Sequence, residues 1–361
     1  MESKEQPVLL SDVATAAGVS LATASMALRA QGTIALKTRD LVRRVAEEIG
    51  YRPNLAASML ARQRQGGILP SVPVAVIGMG TKDRYAFPAT DFVKGFTGHA
   101  TQRGFLVEEP EPAGYPNLSK LLRVLYYRGV RGITISHSID TSELSAKDVK
   151  PFSFLFHGQP FYESRFHRVS TEVFEGTRFL WETIWNRGYR RIGAALYFHP
   201  QDIQDDFARE AAVVNCQIRY GAPNLPIYKG PLHDHAELVR WVREVKPDAL
   251  IGFSGGQCYA LRNAGYKIPE DIGFAALHIP EDEKVVTGLY EDFDELGRIT
   301  ASQLDAMIRR NETGFPERPH ELLVSPVFKD GVTLPPRAVA ASGSSNRVKK
   351  KPAASKKRFS K

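Results

Sequence analysis

The sequence is poor in cysteine and has no long apolar run. Its two cysteines, Cys216 and Cys258, are far apart in the chain, which excludes a cysteine zinc cluster and predicts two buried, reduced thiols. No stretch approaches the roughly 18 apolar residues that a membrane-spanning helix needs. The first ten residues, MESKEQPVLL, lack the apolar core of a secretory signal. We therefore expect a cytoplasmic protein without a membrane span.

Recognisable cofactor and metal motifs are also missing. The run His233-Asp234-His235 lacks a third and fourth ligand at a suitable spacing, so it predicts a solvated loop. Gly78-Met79-Gly80 does not complete a dinucleotide-binding fingerprint, and there is no phosphate-binding-loop lysine motif. We expect neither a cofactor nor a metal.

The excess positive charge is concentrated at the end of the chain. The net charge is +8, and residues 347–361 contain eight Lys and Arg residues and no acid, so the rest of the chain is formally neutral. A segment of this composition cannot bury a core, and residues 337–361 are predicted to be a disordered basic tail. Two interpretations remain open: salt-sensitive attraction to nucleic-acid phosphates, or a purely solubilising role.

The chain has 361 residues, 43% of them hydrophobic, which suffices for more than one core. Three short helices are predicted in residues 1–52. Ser11, Ser20 and Thr38 are their predicted N-caps. Gly18 separates the first two helices, and Gly50 ends the third.

Two short helices around a glycine turn, with a third behind them, are typical of a helix-turn-helix. The second helix is predicted from Leu21 to Arg29, with Ala24 and Ala27 on one face. Farther along, Pro53 predicts an extended approach and Asn54 the N-cap of another short helix.

The segments LSDVATAAGVSLATASMALR and KTRDLVRRVAEEIGYRPNLAASMLA resemble the head of the LacI/GalR family of bacterial transcription regulators over residues 9 to 62. The resemblance implies that the second helix enters the major groove of double-stranded DNA. It also implies that hinge helices of two subunits pair in the minor groove. The leucine that separates base pairs there corresponds to Leu60, and such an apolar wedge bends the duplex.

The resemblance implies a set of DNA-contacting residues: Ser20, Leu21, Ala22, Thr23, Ser25, Met26, Arg29, Asn54, Ala57 and Leu60.

Leu21, Ala22 and Met26 are implied at base edges, with Thr23 and Ser25 at phosphates. Apolar side chains can touch a thymine methyl group but cannot form bidentate hydrogen bonds to a purine. We therefore predict that Arg29, the hinge and duplex deformability provide more of the specificity. The alternatives are that Leu21 and Met26 pack inside the head, and that Leu60 contacts the partner subunit.

The rest of the chain alternates apolar runs with helical patterns. Residues 53–72 are predicted to form a hinge helix and a linker containing Gly66, Gly67 and Pro70. Apolar strands separated by helices then indicate parallel sheets covered on both faces. Two such series, before and after about residue 168, predict two lobes with a cleft between them.

The segments RGVRGITI, NRGYRRIG and GYKIPEDIGFAAL resemble the effector-binding body of the same family, which has the fold of periplasmic sugar-binding proteins. The resemblance implies an effector-binding domain over residues 73–336. Its first lobe would contain residues 73–167 and 290–322, and its second lobe residues 168–289 and 323–336.

Sugar-binding members of this family often carry Asp-Asn, Asn-Asp and Gly-Phe-Asp motifs where this chain has Glu172-Val173, Ser254-Gly255 and Leu277-His278. Two carboxylates expected to bind sugar hydroxyls are thus missing from those positions. We expect a small-molecule effector that is an unusual sugar or a different compound. The candidate effector-binding residues follow predicted strands or match the family pattern: Tyr85, Phe87, His137, His157, Tyr197, His199, Arg209, Ser254 and His278.

A hydrolase is the alternative function. Residues 252–256 match G-x-S-x-G, with Ser254 as the nucleophile in a strand–turn–helix context. Asp271 with His278, or Asp305 with His320, would complete a triad; these four residues follow Ser254 in the required order. No oxyanion-loop motif precedes the serine, and a hydrolase would not need the helical head. A binding protein without DNA activity would lack that head and carry a secretion signal.

The sequence therefore predicts a small all-α helix-turn-helix head with a hinge helix, joined to a two-lobed α/β body of the periplasmic-binding-protein type with parallel sheets. The predicted function is that of a non-enzymatic transcriptional regulator, a repressor acting as a homodimer on operator DNA at the bacterial nucleoid. A small molecule in the cleft is expected to control DNA binding.

Overall fold

A computed structural model describes residues 9–28, 34–49, 51, 72–78, 89–136, 139–159, 165–199, 203–231 and 234–337. The predicted hinge helix and most of the linker lie outside these ranges, as does the tail beyond residue 337. No helix within the described ranges is long and apolar enough to cross a membrane.

The N-terminal head consists of three helices: α1 (Leu10–Ala16), α2 (Leu21–Leu28) and α3 (Leu36–Glu48). Their apolar faces form one small core that includes Val13, Ala24 and Val42. Small residues on α1 and α2 let these short helices approach closely, which gives the head a core despite its size.

Two of the predicted helix starts in the head are wrong. Helix α1 begins before Ser11, and the Asp12 carboxylate caps it by accepting a hydrogen bond from the Leu9 N–H at 2.7 Å. Helix α3 begins at Leu36, so Thr38 lies inside its first turn. Both helices therefore begin one or two residues before the residue predicted to cap them, Ser11 in α1 and Thr38 in α3.

The first lobe contains a six-stranded parallel sheet in the order β10-β5-β4-β3-β1-β2. Its strands are β1 (Val72–Ile77), β2 (Phe105–Glu108), β3 (Gly132–Ser136), β4 (Ser153–His157), β5 (His167–Thr171) and β10 (Glu321–Val324). Its helices are α4 (Ala89–Gln102), α5 (Leu118–Tyr127), α6 (Ala146–Val149) and α11 (Phe293–Arg310), with a short 3-10 helix at Pro112–Gly114.

The second lobe contains a five-stranded sheet in the order β11-β9-β8-β7-β6, in which β11 alone is antiparallel. Its strands are β6 (Ile192–Ala195), β7 (Ala249–Ser254), β8 (Gly273–His278), β9 (Thr287–Tyr290) and β11 (Val327–Lys329). Its helices are α7 (Val173–Asn186), α8 (Gln204–Tyr220), α9 (His235–Val245) and α10 (Gly255–Asn263).

Each sheet has an apolar core on both of its faces. In the first lobe, one core contains Phe92 and Phe96 of α4, and the other contains Leu121 and Leu125 of α5. The second lobe is built in the same way, with two further cores on opposite faces of its sheet. This arrangement confirms the predicted two-lobed α/β body with parallel sheets.

The chain passes between the lobes three times. It leaves the first sheet at Glu172, returns through residues 291–292, and crosses again through residues 325–326. The crossings are adjacent in space: the Glu172 N–H donates to the Val324 carbonyl at 2.9 Å, and Glu172, Glu291 and Pro326 line one crevice. The first crossing lies after β5 rather than near residue 168, since β5 pairs with β4 and β10.

Helices α4 and α11 pack against each other at two glycines. A Cβ atom on Gly95 would lie 1.9 Å from the Asp294 carbonyl oxygen, and one on Gly297 would lie 2.1 Å from that of Phe92. The two backbones can approach this closely because both positions lack a side chain. This contact fixes α11 to the first lobe directly after the second crossing.

Candidate DNA-binding helix and interlobe site

Helix α2 is held at its start by Ser20, as the sequence predicts. The Ser20 hydroxyl accepts a hydrogen bond from the Thr23 N–H at 3.0 Å and lies 2.8 Å from the Thr23 hydroxyl. The turn before it uses Gly18, whose φ of 63° is in the left-handed region. Ala24 and Ala27 are fully buried against the other two helices.

The opposite face of α2 is apolar and exposed. Leu21 is 54% exposed and Met26 is 39% exposed, and Ala22 is exposed beside them. The alternative that Leu21 and Met26 pack inside the head is therefore wrong. Thr23 and Ser25 are half-buried at the edges of this face. Four predicted DNA-contacting residues lie outside the described ranges: Arg29, Asn54, Ala57 and Leu60.

In the body, the first turns of α8 place charged groups at the junction of the lobes. Asp205 and Asp206 lie in the first turn, and Arg209 follows three to four residues later on the same side. A terminal nitrogen of Arg209 is 3.3 Å from an Asp206 carboxylate oxygen, and the other is 3.9 Å from Asp205. Arg209 is 5% exposed and Asp206 is 1% exposed, so this pair is shielded from water.

Asp206 positions a second side chain as well. Its carboxylate accepts the His199 backbone N–H at 2.6 Å and lies 3.0 Å from the His199 Nδ1 atom. A carboxylate with several donors is a fixed group that orients its neighbours. Asp206 thus sets the positions of both His199 and Arg209.

Aromatic rings surround the Arg209 guanidinium. Phe253, near the end of β7, lies 5.4 Å below it and 4.6 Å from the His278 ring. Tyr197, just after β6, lies 5.5 Å from Phe253 and 4.7 Å from His199. The ends of three neighbouring strands therefore supply the aromatic part of the site.

A chain of polar contacts leads from Arg209 toward the crossings. A terminal nitrogen of Arg209 is 3.4 Å from His278 Nε2, and His278 Nδ1 is 3.2 Å from a Glu291 carboxylate oxygen. Arg209, His278 and Glu291 line a small crevice that also contacts Glu172 and Pro326. The site therefore lies where the three crossings meet.

The pKa values of the two site carboxyl groups are shifted in opposite directions. Burial raises the pKa of Asp205 to about 6, and the nearby carboxylates of Glu291, Glu321 and Asp206 oppose the favourable effect of Arg209. Burial also acts to raise the pKa of Glu291, but His278 and Arg209 lower it below its usual value.

One described contact joins the lobes beside Asp205. Arg168 of β5 pairs with Glu321 of β10 at 2.8 Å and donates to the Gln204 side chain of α8 at 3.4 Å. Gln159 also donates to Glu321 at 2.7 Å. Polar groups of the first lobe thus face the start of α8.

The structure brings together several of the predicted effector-binding residues. Tyr197, Arg209 and His278 meet around Phe253, and Ser254 lies beside His278 in the register of β7 and β8. His157 lies in the first lobe, buried between the rings of Phe92 at 4.1 Å and Phe293 at 6.5 Å. Three further candidates lie outside the described ranges: Tyr85, Phe87 and His137.

The G-x-S-x-G segment does not form the strained turn of a hydrolase. Ser254 is the N-cap of α10, with φ −138° and ψ 162°, an ordinary extended conformation. The nitrogens of His278 face Arg209 and Glu291, and the Asp271 carboxylate accepts the Lys267 N–H.

The second proposed acid–base pair is also engaged elsewhere. Asp305 pairs with Arg103 and Arg309 in the first lobe, and the His320 N–H donates to His167. Neither predicted triad is assembled in the described structure.

Sequence inspection missed four residues of the site: Asp205, Asp206, Phe253 and Glu291. The first two could have been found, since Asp205 and Asp206 precede Arg209 by one helical turn. Carboxylates do line the site, but from positions that the family pattern did not indicate. Glu172, at one of the expected positions, instead caps α7 by accepting the Glu175 N–H at 3.1 Å.

A family model of bacterial regulatory proteins, the lacI family, matches residues 9–54. The match covers α1, α2 and α3 and ends just after them. Residues 9–54 of this chain are therefore similar to the corresponding segment of that family.

Two curated relatives extend the similarity. The chain is 26% identical over 190 residues to the maltose regulon regulatory protein MalI of Escherichia coli, covering 51% of this chain and 52% of the relative. It is 27% identical over 143 residues to the lactose operon repressor of Escherichia coli, covering 39% of this chain and 37% of the relative. The matches thus span about half or less of each relative.

Solved structures match between 73% and 91% of the chain in fold. A complex of the transcriptional regulator CelR with cellobiose aligns with TM-score 0.56 and 19% identity, covering 90% of this chain and 99% of the other. The lac repressor dimer bound to operator and an anti-inducer aligns with TM-score 0.56 and 20% identity, covering 91% and 100%. A LacI-family regulatory protein from Chloroflexus aggregans aligns with TM-score 0.59 and 20% identity, covering 73% and 98%.

Proposed function

We propose that this protein is a sequence-specific DNA-binding transcriptional regulator, a repressor that acts as a homodimer on a pseudo-palindromic operator. The LacI-family domain at residues 9–54, with the outer face of α2 exposed, is the observation on which this rests. Because each head would bind one half-site, the symmetry of the operator would mirror that of the dimer. Such a regulator acts in the cytoplasm, at the nucleoid.

We assign Leu21, Ala22 and Met26 to base edges in the major groove, and Ser20, Thr23 and Ser25 to the DNA backbone. Apolar side chains give weak direct readout, so Arg29 and the hinge residues Asn54, Ala57 and Leu60 would provide most of the specificity. The exposure of Leu21 and Met26 supports this assignment, since both are available to DNA.

Binding-site selection with the full-length protein tests this proposal. We expect a two-fold symmetric consensus whose discrimination falls in Arg29→Ala and changes little in Met26→Ala. Strict guanines under α2 that are lost in Met26→Ala and kept in Arg29→Ala would contradict the assignment. Failure to enrich any sequence would contradict DNA-binding regulation altogether.

We propose that a carbohydrate in the interlobe site controls operator binding. A structure of this fold, that of CelR, contains cellobiose, and in this chain the Arg209 site lies where the two lobes join. A thermal-shift screen of monosaccharides, disaccharides, uronic acids and nucleobases would identify the ligand. By linkage, operator DNA must change the affinity of that ligand by the same factor as the ligand changes operator affinity.

We further propose that the basic tail adds non-specific DNA affinity. Replacing its eight Lys and Arg residues with Gln keeps the length and removes the excess charge. The slope of log affinity against log salt should fall by at most about 7. An unchanged slope would contradict a contribution of the tail to DNA affinity and favour the purely solubilising role.

No catalytic activity is proposed. Hydrolysis of p-nitrophenyl acetate that is abolished by Ser254→Ala would restore the hydrolase alternative.

A further inference from the structure

The outer face of α8 is apolar and open to water. Phe207 is 50% exposed, Val214 is 40% exposed and Ile218 is 77% exposed. Ala211 is exposed between them. The opposite face of α8 is buried, and its Val213 belongs to a core of the second lobe. The lobe therefore holds α8 in place without the four outer side chains.

This face differs from the outer face of a neighbouring helix of the same lobe. The exposed residues of α9 include Arg240, Arg243 and Glu244. Among the exposed residues of α8, Arg219 alone is charged, and it lies in the last turn. An extended apolar patch with a polar rim marks a surface that binds another protein.

The spacing of the four outer residues fits a second helix as the partner. Phe207, Ala211, Val214 and Ile218 are separated by four, three and four residues. Alternating intervals of three and four residues form the seam along which two helices pack at a small crossing angle. The outer face of α8 is thus patterned like one half of a helix pair.

The seam is complementary to a copy of itself in the antiparallel orientation. With the two-fold axis between Ala211 and Val214, Phe207 of one copy faces Ile218 of the other, and Ala211 faces Val214. Both pairs then combine a larger with a smaller side chain, which lets the layers fill evenly. In a parallel pair the two Phe207 rings would face each other and the two Ala211 side chains would leave a gap.

The charged residues beside the seam do not oppose this pairing. Glu210 on one flank is paired with Lys229 of its own chain, and in the antiparallel register it lies near Gln217 of the second copy. Arg219 on the other flank lies near Gln204 of the second copy. Like charges that face each other would disfavour a contact between copies, and this register brings none together.

The size of the seam determines the kind of contact. Helix α8 has 17 residues and one apolar stripe. A pair of such helices buries less than the roughly 2,000 Å² or more that permanent dimers bury. The seam is thus too small to be the whole contact of the proposed homodimer. It suits a weaker association between dimers that are already formed.

We propose that α8 is a second self-association surface, through which two of the proposed homodimers join by antiparallel pairing of their α8 helices. This proposal rests on the proposed homodimer and adds a contact to it. Each dimer presents two such surfaces, so a closed tetramer would contain two α8 pairs.

Sedimentation velocity of the full-length protein tests the proposal. From about 1 μM to about 100 μM, we expect the sedimenting mass to rise about twofold, from dimer to tetramer. Ile218→Glu should remain a dimer over this range, because it places a charge in the seam. The control is Ala236→Glu, which adds the same charge at an exposed position of α9 and should associate like the unaltered protein.

Three results of this measurement overturn the proposal. The unaltered protein could show no tetramer, or Ile218→Glu could associate as strongly as Ala236→Glu. Ile218→Glu could also fall to a monomer, which would place the dimer contact itself on α8. Ile218 is mostly exposed, so its substitution should leave the melting temperature close to that of Ala236→Glu.

Disulfide cross-linking tests the orientation independently. Equal positions at Phe207 or at Ile218 are about 16 Å apart along antiparallel helices, whereas a disulfide needs Cα atoms within about 7 Å. Phe207→Cys and Ile218→Cys should therefore cross-link when the two proteins are mixed and not when either is oxidised alone. The two native cysteines are buried and should not contribute. Cross-linking of either variant alone, or no cross-linking in the mixture, overturns antiparallel pairing.

Operator binding separates this proposal from the proposed function. Fluorescence anisotropy at low protein concentration measures the affinity of the dimer for one operator, which Ile218→Glu should leave within about twofold. A protein that binds the operator but stays a dimer at all concentrations refutes pairing through α8 and leaves the proposed regulator standing. If no operator is bound, the proposed function fails, while sedimentation and cross-linking still decide the α8 contact.

Discussion

The Nδ1 atom of His278 lies 3.2 Å from a carboxylate oxygen of Glu291. On the other side of the ring, Nε2 is 3.4 Å from Arg209. A guanidinium only donates hydrogen bonds, so Nε2 acts as the acceptor and Nδ1 carries the proton toward Glu291. The ring therefore links Arg209 to Glu291, and a ligand that moves Arg209 also disturbs Glu291.

The contacts of Arg209 and Glu291 with His278 make Arg209→Lys a test of the role of the guanidinium. Lysine keeps the positive charge beside Asp206 but loses the planar fork that contacts His278. We expect ligand binding to weaken about tenfold or more, and operator affinity without ligand to stay within about twofold. Calorimetry and fluorescence anisotropy measure the two quantities. Arg219→Lys, at an exposed position of α8, is the control. Equal ligand affinity in Arg209→Lys and Arg219→Lys would contradict a role of the planar Arg209 guanidinium in ligand binding.

Asp205 should make stability depend on pH. Its pKa is about 6 in the folded protein, above the ordinary value of about 3.9 expected in the unfolded chain. Ionised Asp205 therefore destabilises the folded protein above about pH 6, and this penalty fades as the pH falls toward about 4. Asp205→Asn should raise the melting temperature at about pH 8 and have little effect at about pH 4.

Differential scanning calorimetry across this pH range measures the effect of Asp205→Asn. The exposed Asp282→Asn is the control, and we expect no pH-dependent difference from it. A stabilisation by Asp205→Asn that increases toward acid pH would contradict this prediction.

The contact between α4 and α11 can be tested with two glycines of one helix. Gly95→Ala would place a methyl group against the Asp294 backbone and should destabilise the protein by roughly 2 kcal/mol or more. Gly98→Ala meets nothing within 4 Å and should stabilise it by about 0.5–1 kcal/mol. Urea unfolding measures both. Similar effects of the two substitutions would exclude a close backbone contact at Gly95.

The head offers a comparison between two serines. Ser20→Ala removes the cap of α2 and should cost about 1 kcal/mol of local stability. Ser11→Ala should cost less, because Asp12 rather than Ser11 caps α1. Hydrogen exchange of the α1 and α2 amides in the full-length protein reports both changes. Faster exchange in α1 for Ser11→Ala than in α2 for Ser20→Ala would reverse the assignment of caps.

The central strands of both sheets were predictable because they are buried on both faces and form continuous apolar runs. Strands β5 and β10 were not predicted. The sequence of β5, HRVST, is mostly polar, and β10 is a half-buried edge strand. Neither strand can be recognised from its own residues. β5 is identified by its pairing with β4 and β10, and β10 by its pairing with β5.

The site was predictable where its residues follow strands or helical spacing. Tyr197 and His278 follow or end apolar strands, and Arg209 matches the family pattern. Glu291 was not predictable, because it reaches the site only where the chain crosses between lobes for the second time. Its position depends on the path of the whole chain, which short-range patterns do not contain.

The three adjacent crossings limit how much information the body can transmit. Short connections at one place leave rotation of the lobes about that place as the easiest motion. A molecule bound beside Arg209 can therefore affect the rest of the protein essentially in one way, through the rotation of the lobes. The rest of the protein then distinguishes only an occupied site from an empty one. Compounds that close the lobes equally would be indistinguishable beyond that point. All chemical discrimination must then be complete among the few side chains that touch the ligand.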